Sequence, residues 1–159
     1  MTSESLLNLV ERVIKSRSEF QFIELKAARK GDPKRIYDTL SSFSNSNEGG
    51  IIIFGVDEEQ DFEMCGVYDL QDIQQKITEQ CNSMTPEVRP LFSYAEISNG
   101  YICAIEIPPI DIAERPCFYT GKGRLKGSYV RVGTNDIPMT EYEVYSYEAY
   151  RKNIRMILE

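Results

Sequence analysis

Four carboxylates and one lysine have types and spacing that could do chemistry: Glu19, Glu24 and Lys26 early in the chain, then Asp57 and Glu58. Oxygen donors of this kind suit a hard divalent cation, Mg²⁺ or Mn²⁺. A cation held that way activates water and stabilises charge on a phosphodiester. Lys26 lies two positions after Glu24, so on a strand both face the same way, and Lys26 could steady developing negative charge. Glu19 joins them only if it lies in a bend before the strand, because an unbroken strand would turn it to the opposite face. The plainer alternative is a Glu24–Lys26 surface pair and an acidic turn at Asp57-Glu58. The residues alone leave both open.

Cations form the second constellation. The net charge is −7, which argues against a surface uniformly attractive to nucleic acid. The charges are uneven, however. Lys26, Arg29, Lys30, Lys34 and Arg35 cluster early, and no acid interrupts Arg115, Lys122, Arg124, Lys126 and Arg131. Gly121-Lys122-Gly123-Arg124-Leu125-Lys126-Gly127 reads as a glycine-spaced basic loop. It matches neither G-x-x-x-x-G-K-[ST] nor G-x-G-x-x-G, and no helix is expected to follow it, so ATP is not expected. A Lys/Gly hairpin can instead run along a phosphate backbone. The bland alternative is a solvated turn.

The chain contains no histidine, which removes Ser-His-Asp and Cys-His catalysis. Cys65, Cys81, Cys103 and Cys117 are widely spaced without a Cys-x-x-Cys pair, so free, buried or half-buried thiols are expected rather than a zinc site. An acidic N-terminus without a signal-peptide pattern, and no long apolar run, lead to an expected cytoplasmic location.

The elements that must position these groups follow from periodicity. Residues 3–16 read as a helix with Leu6, Val10, Val13 and Ile14 on one face, capped by Ser3 or Ser5. Residues 20–26 read as a strand. Asp32-Pro33 reads as the start of a helix carrying Ile36, Leu40 and Phe43. Asn45-Ser46-Asn47-Glu48-Gly49-Gly50 ends that helix, and Ile51 to Val56 is apolar enough for a strand covered on both faces. Strand, helix, strand implies a parallel crossover. Residues 62–67 suggest a hairpin partner, Asp69 caps a helix with Leu70, Ile73, Ile77 and Cys81, and Asn99-Gly100 signals a hairpin joining strands near 91–97 and 101–107. Short strands are expected at 117–119 and 128–132. Thr140 caps a C-terminal helix, 140–158, whose tyrosines are expected to pack on the domain surface. One domain spanning 1–159 is expected, and the chain's ending in or just after a helix leaves room for a further domain.

One ordered set of residues resembles a known family. Glu19-x-x-x-x-Glu24-Leu25-Lys26, Phe43-Ser44-Asn45, Gly49-Gly50-x-x-x-x-Gly55-Val56-Asp57-Glu58, Gly66 and Tyr129-Val130-Arg131-Val132-Gly133-Thr134 together resemble the Schlafen AlbA_2 family. The resemblance implies an Alba-like α/β (α+β) fold: a mixed sheet with flanking helices, a βαβ start, antiparallel hairpins and a C-terminal helix. It implies a nucleic-acid-binding domain of bacterial transcriptional regulators, with DNA or RNA as partner, no membrane and a possible homodimer. Phosphate contacts are expected from Lys26, Lys30, Lys122, Arg124, Lys126 and Arg131. In animal relatives a related domain cleaves RNA with three carboxylates. By that likeness Glu19 and Glu24, with Asp57 or Glu58, would be catalytic alongside Lys26, and Glu19, Glu24 and Asp57 would hold Mg²⁺ or Mn²⁺. The sequence departs in having Leu25 where Phe is usual and Glu58 where Asp is frequent. The alternatives are therefore a metal-dependent endoribonuclease and a non-catalytic oligomerisation or ligand-sensing domain.

Overall fold

The computed structural model describes residues 1–18, 20–31, 33 and 35–158. Helix α1 (Ser3–Ser16) is capped by Thr2, whose hydroxyl accepts the Ser5 N–H, rather than by Ser3 or Ser5 themselves. Strand β1 (Ile23–Lys26) is shorter than the 20–26 expected. Helix α2 (Tyr37–Ser44) starts after the Asp32-Pro33 signal, and Asp32 lies outside the described residues. The Ile36 N–H is donated to Gln80 Oε1 and Ile36 is not helical, so the chain enters the helix only at Tyr37.

Strands β2 (Gly50–Phe54) and β3 (Val56–Asp57) follow, separated by Gly55 at φ +106°. Strand β4 (Glu63–Met64) pairs with β3 as a short hairpin. Helix α3 (Leu70–Asn82) is capped by Asp69, as its sequence predicts. Strand β5 (Met84–Thr85) precedes the long hairpin of β6 (Leu91–Ile97) and β7 (Gly100–Ile107), which turns at Asn99-Gly100. Strand β8 (Phe118–Tyr119) pairs with β5.

The predicted basic loop is instead a short helix, α4 (Gly123–Gly127). Strand β9 (Tyr129–Val132) then turns at Gly133 into β10 (Asn135–Pro138), a strand the sequence reading lacked. Helix α5 (Glu141–Leu158) closes the chain. Its start is a capping box: Thr140 Oγ1 accepts the Glu143 N–H, and Glu143 Oε1 accepts the Thr140 N–H.

The main sheet runs β1-β2-β7-β6, with β1 parallel to β2 and the other pairs antiparallel. The predicted crossover is therefore present, with α2 as its helix. Leu25, Ile53, Ala95, Ile102 and Ala104 pack on one face with Leu6, Val10 and Val13 of α1. Ile52, Phe54, Cys103 and Ile105 pack on the other with Leu40 and Phe43 of α2 and Ile73 and Ile77 of α3. Burial on both faces explains the unbroken apolar run of β2. The Gly-Gly pair has a steric cause. Gly49 takes φ +68°, and a Cβ on Gly50 would collide with the Phe43 ring.

Candidate functional site

Glu24 and Lys26 pair with Ile52 and Phe54, which places them on the α2 face of the sheet. There Glu24 meets Arg131 of β9, with Nη1 to Oε2 at 2.9 Å. The same Nη1 lies 2.9 Å from Asp136 Oδ1, on the residue directly opposite Arg131 in the β9–β10 hairpin. Arg131 Nε donates to the Gln21 carbonyl at 2.8 Å, and the guanidinium lies 5.0 Å from the Phe43 ring centroid. Thr39 and Ser42 of α2 donate their hydroxyls to the two Asp136 oxygens, each at 2.6 Å. The Arg131 side chain is 1 % exposed. Burial opposes its charge, but the hydrogen bonds and charges of Asp136 and Glu24 outweigh it and raise the pKa above the ordinary arginine value. Arg131 thus clamps the hairpin to β1 and α2. That corrects its expected role as a phosphate contact, because no nucleic acid can reach a group so covered.

Asp57 and Glu58 part company. Asp57 Oδ1 accepts the Glu59 N–H and starts a 3₁₀ turn over Glu58–Gln60, while Oδ2 lies 3.3 Å from Arg29 Nη2. Glu63, opposite Asp57 across the hairpin, sits 2.7 Å from the same nitrogen. Like charges directly opposite repel, and Arg29, paired with both, offsets that repulsion. Hydrogen bonding to Glu63, opposed by burial, raises the Arg29 pKa. Glu58 is exposed. Glu19 lies outside the described residues, and among those described no three carboxylates or thiols gather as they would for a metal ion. Glu24 and Asp57 each answer an arginine instead. The described residues do not fit a divalent cation.

The remaining cations divide. Lys26 is half-buried at the end of β1, and Lys30 is exposed. Lys122, at the start of α4, places Nζ 3.3 Å from Tyr129 Oη. Lys126 is exposed, and Arg124 pairs with Glu148 of α5 at 2.9 Å. Between α4 and α5 lies a hollow of about 250 Å³ lined by Arg124, Arg151, Lys152, Arg155 and a single acid, Glu148. Arg151 is anchored by donating to the Ala113 and Arg115 carbonyls. The three α5 cations are not singled out by the sequence, because their meeting with Arg124 depends on how α5 lies against α4. The tyrosines of α5 divide: Tyr147 is half-buried, whereas Tyr142, 81 % exposed, Tyr145 and Tyr150 do not pack as expected, and Val144 is the buried residue among those described in α5. The signal that could have found the cations is Arg151-Lys152-x-x-Arg155, three basic residues with Arg155 at helical spacing from both others.

A second depression, of about 210 Å³, is lined by Arg35, Tyr37, Asp38, Tyr119, Lys122 and Tyr129. The Tyr37 and Tyr119 rings stack with centroids 3.9 Å apart and planes 16° from parallel. Burial, then the Tyr119 phenol, push the Tyr37 phenol pKa up.

The frame beneath is polar but closed. Asn45 donates to the Cys117 and Tyr129 carbonyls and accepts the Cys117 N–H at 2.7 Å. Ser41 accepts the Tyr129 N–H. Asn45, with Ser41, therefore holds Cys117 and the start of β9 against α2. Arg115, counted with the basic stretch, is buried on Asn47 and on the Ser46 and Ile110 carbonyls.

The four thiols are free. Burial pushes Cys81, Cys103 and Cys117 from 9.0 up to about 12, and raises Cys65 against the pull of Arg29. Between about pH 9 and 12 the unfolded chain releases thiol protons that the folded chain keeps, so stability falls as pH rises through that window. Urea midpoints should drop between about pH 8 and about pH 10. A thiol reagent at neutral pH should modify Cys65 first and the other three only after denaturant is added.

The family profile described as Schlafen, AlbA_2 matches residues 19–140. Two solved structures share the fold. One is the N-terminal domain of an ATP-dependent DNA helicase RecG-related protein from Nitrosomonas europaea. It is 21 % identical, with a TM-score of 0.62, covering 84 % of this chain and 92 % of that one. The other is the DIP2311 protein from Corynebacterium diphtheriae. It is 18 % identical, with a TM-score of 0.55, covering 93 % of this chain but only 32 % of that one. No curated protein matches the chain. Among the described residues no helix is long and apolar enough to cross a membrane.

Proposed function

We propose that this chain, which belongs to the Schlafen AlbA_2 family, is a nucleic-acid-binding module that grips phosphates through the face shared by α4 and α5. The observation that carries this reading is the hollow of four cations around Glu148. In a chain of net charge −7, such a concentration creates a local attraction that the molecule as a whole lacks. Lys122 and Lys126 extend it on α4, and arginine forks and lysine points both serve phosphate. Lys30 can contribute from the β1 side. The regulatory role implied by the family resemblance needs binding without chemistry, which agrees with two carboxylates that each answer an arginine.

Fluorescence anisotropy with labelled DNA and RNA oligonucleotides tests the proposal. Affinity should fall log-linearly as salt rises from roughly 50 to 200 mM, as phosphate-led binding requires. Absence of binding to every oligonucleotide at low salt would sink it. Incubating RNA with the protein and Mn²⁺ covers the enzymatic alternative: cleavage that disappears in Glu24→Gln would replace a binding module with a nuclease.

A further inference from the structure

We infer that Glu148 is a built-in competitor for phosphate: in the free protein its carboxylate occupies Arg124, and nucleic acid must displace it to use that arginine. This rests on the nucleic-acid reading above and deepens it.

Glu148 is the one acid among the residues that line the α4–α5 hollow. Its own helix offers it Arg151 and Lys152, at the spacings of three and four that favour pairing along one face. It is bonded instead across to α4, with Oε1 2.9 Å from Arg124 Nη1. A carboxylate and a phosphate present the same kind of oxygen to a guanidinium fork. Glu148 thus stands where a phosphate oxygen would, and masks the arginine that lines the hollow with the three cations of α5.

The four cations are not held alike. Arg151 is tied down by two backbone carbonyls, and Lys152 and Arg155 are exposed. Among the described residues the Arg124 guanidinium bonds to Glu148 alone, and its Nε is buried without a partner. A buried donor left unsatisfied costs free energy, so the pair is not the best arrangement open to this side chain. The two side chains keep 39 % and 30 % exposure, and an ion pair so exposed is weak enough for a phosphate to exchange into. Arg124 also has room to move. It lines the hollow and an adjoining depression of about 330 Å³, whose walls include Thr85, Pro86, Phe118 and Arg151. Released from Glu148, it meets open space on either side.

Displacing Glu148 lowers affinity by the strength of the pair, roughly two- to fivefold for an exposed one. Anisotropy titrations of labelled DNA and RNA oligonucleotides test this with three variants. Glu148→Gln should bind roughly two- to fivefold tighter than the native chain at low salt, and the gain should shrink as salt screens the pair. Glu148→Asp keeps the charge but loses the reach to Arg124, so it should show part of the same gain. Glu141→Gln makes the same charge change about 10 Å along the helix, near one Debye length at about 0.1 M salt, and should leave affinity nearly unchanged there. Urea unfolding establishes that each variant is folded. Unchanged binding in folded Glu148→Gln overturns the inference. Weaker binding does so too, because Glu148 would then be positioning Arg124 for its ligand. A gain in Glu148→Gln that is absent from Glu148→Asp also overturns it, since charge repulsion alone would explain the result. Any of these, with native binding that falls steeply with salt, leaves the basic face standing. Absence of binding at low salt by the native chain and every variant removes both.

Discussion

Arg131→Ala is expected to lower the unfolding free energy by about 3 kcal/mol, the lower end of the usual cost of removing one partner from a buried ion pair. The side chain bridges two carboxylates that approach no other cation among the described residues, Glu24 and Asp136. Its removal leaves both under partial cover, and also frees the Gln21 carbonyl and one face of the Phe43 ring. The lower end applies because the two carboxylates keep 15 % and 13 % of their exposure, and Asp136 retains the Thr39 and Ser42 hydroxyls. The double variant Arg131→Met with Glu24→Gln should recover part of the loss, since it removes a stranded charge together with its partner. Urea unfolding reads both: the midpoint should fall for the single variant with little change in slope. A single variant that unfolds at the native midpoint would show that the clamp contributes nothing.

The same residue shows where sequence reading reaches its limit. Period-two alternation placed Glu24 and Lys26 together and Leu25 opposite, and the structure agrees, because alternation along one strand is local. The apolar run of β2, the Asn99-Gly100 hairpin, the Asp69 cap and the Thr140 capping box were legible for the same reason. Arg131 was not. An arginine between Val130 and Val132 reads as an exposed cation unless its partners are known, and one of them, Glu24, is distant in sequence. Its other partner stands on β10, which was missing from the reading, so the cross-strand pair could not be seen. Glycines at both ends of α4 disguised a helical turn as a loop. Asp32-Pro33 is a strong start signal that predicts too long a helix α2, whereas the Gln80 side chain decides where the helix begins. The site divides along the same line. Lys122, Arg124 and Lys126 were legible as a local run, but their meeting with Arg151, Lys152 and Arg155 depends on how α5 returns against α4.

That meeting makes the second large prediction. Lys122→Glu with Arg124→Glu and Lys126→Glu should abolish measurable nucleic-acid binding at physiological salt. Each phosphate contact contributes about 0.7 to the log–log salt slope on a single strand and about 0.9 on a duplex. Three lost contacts should therefore flatten the slope by roughly 2–3. On α5 the informative change is Lys152→Glu with Arg155→Glu, leaving Arg151 in place because it also ties down the Ala113 and Arg115 carbonyls. If α4 and α5 form one contact surface, this pair should flatten the slope in proportion to its two charges. Lys15→Glu on α1 supplies the control, since α1 covers the opposite face of the sheet. A long-range effect of net charge would weaken binding in all three variants, in the order of the number of charges each reverses. A contact surface would weaken it only in the α4 and α5 variants. Binding lost with the α4 changes and untouched by those on α5 would confine the interface to α4 and remove the hollow from it.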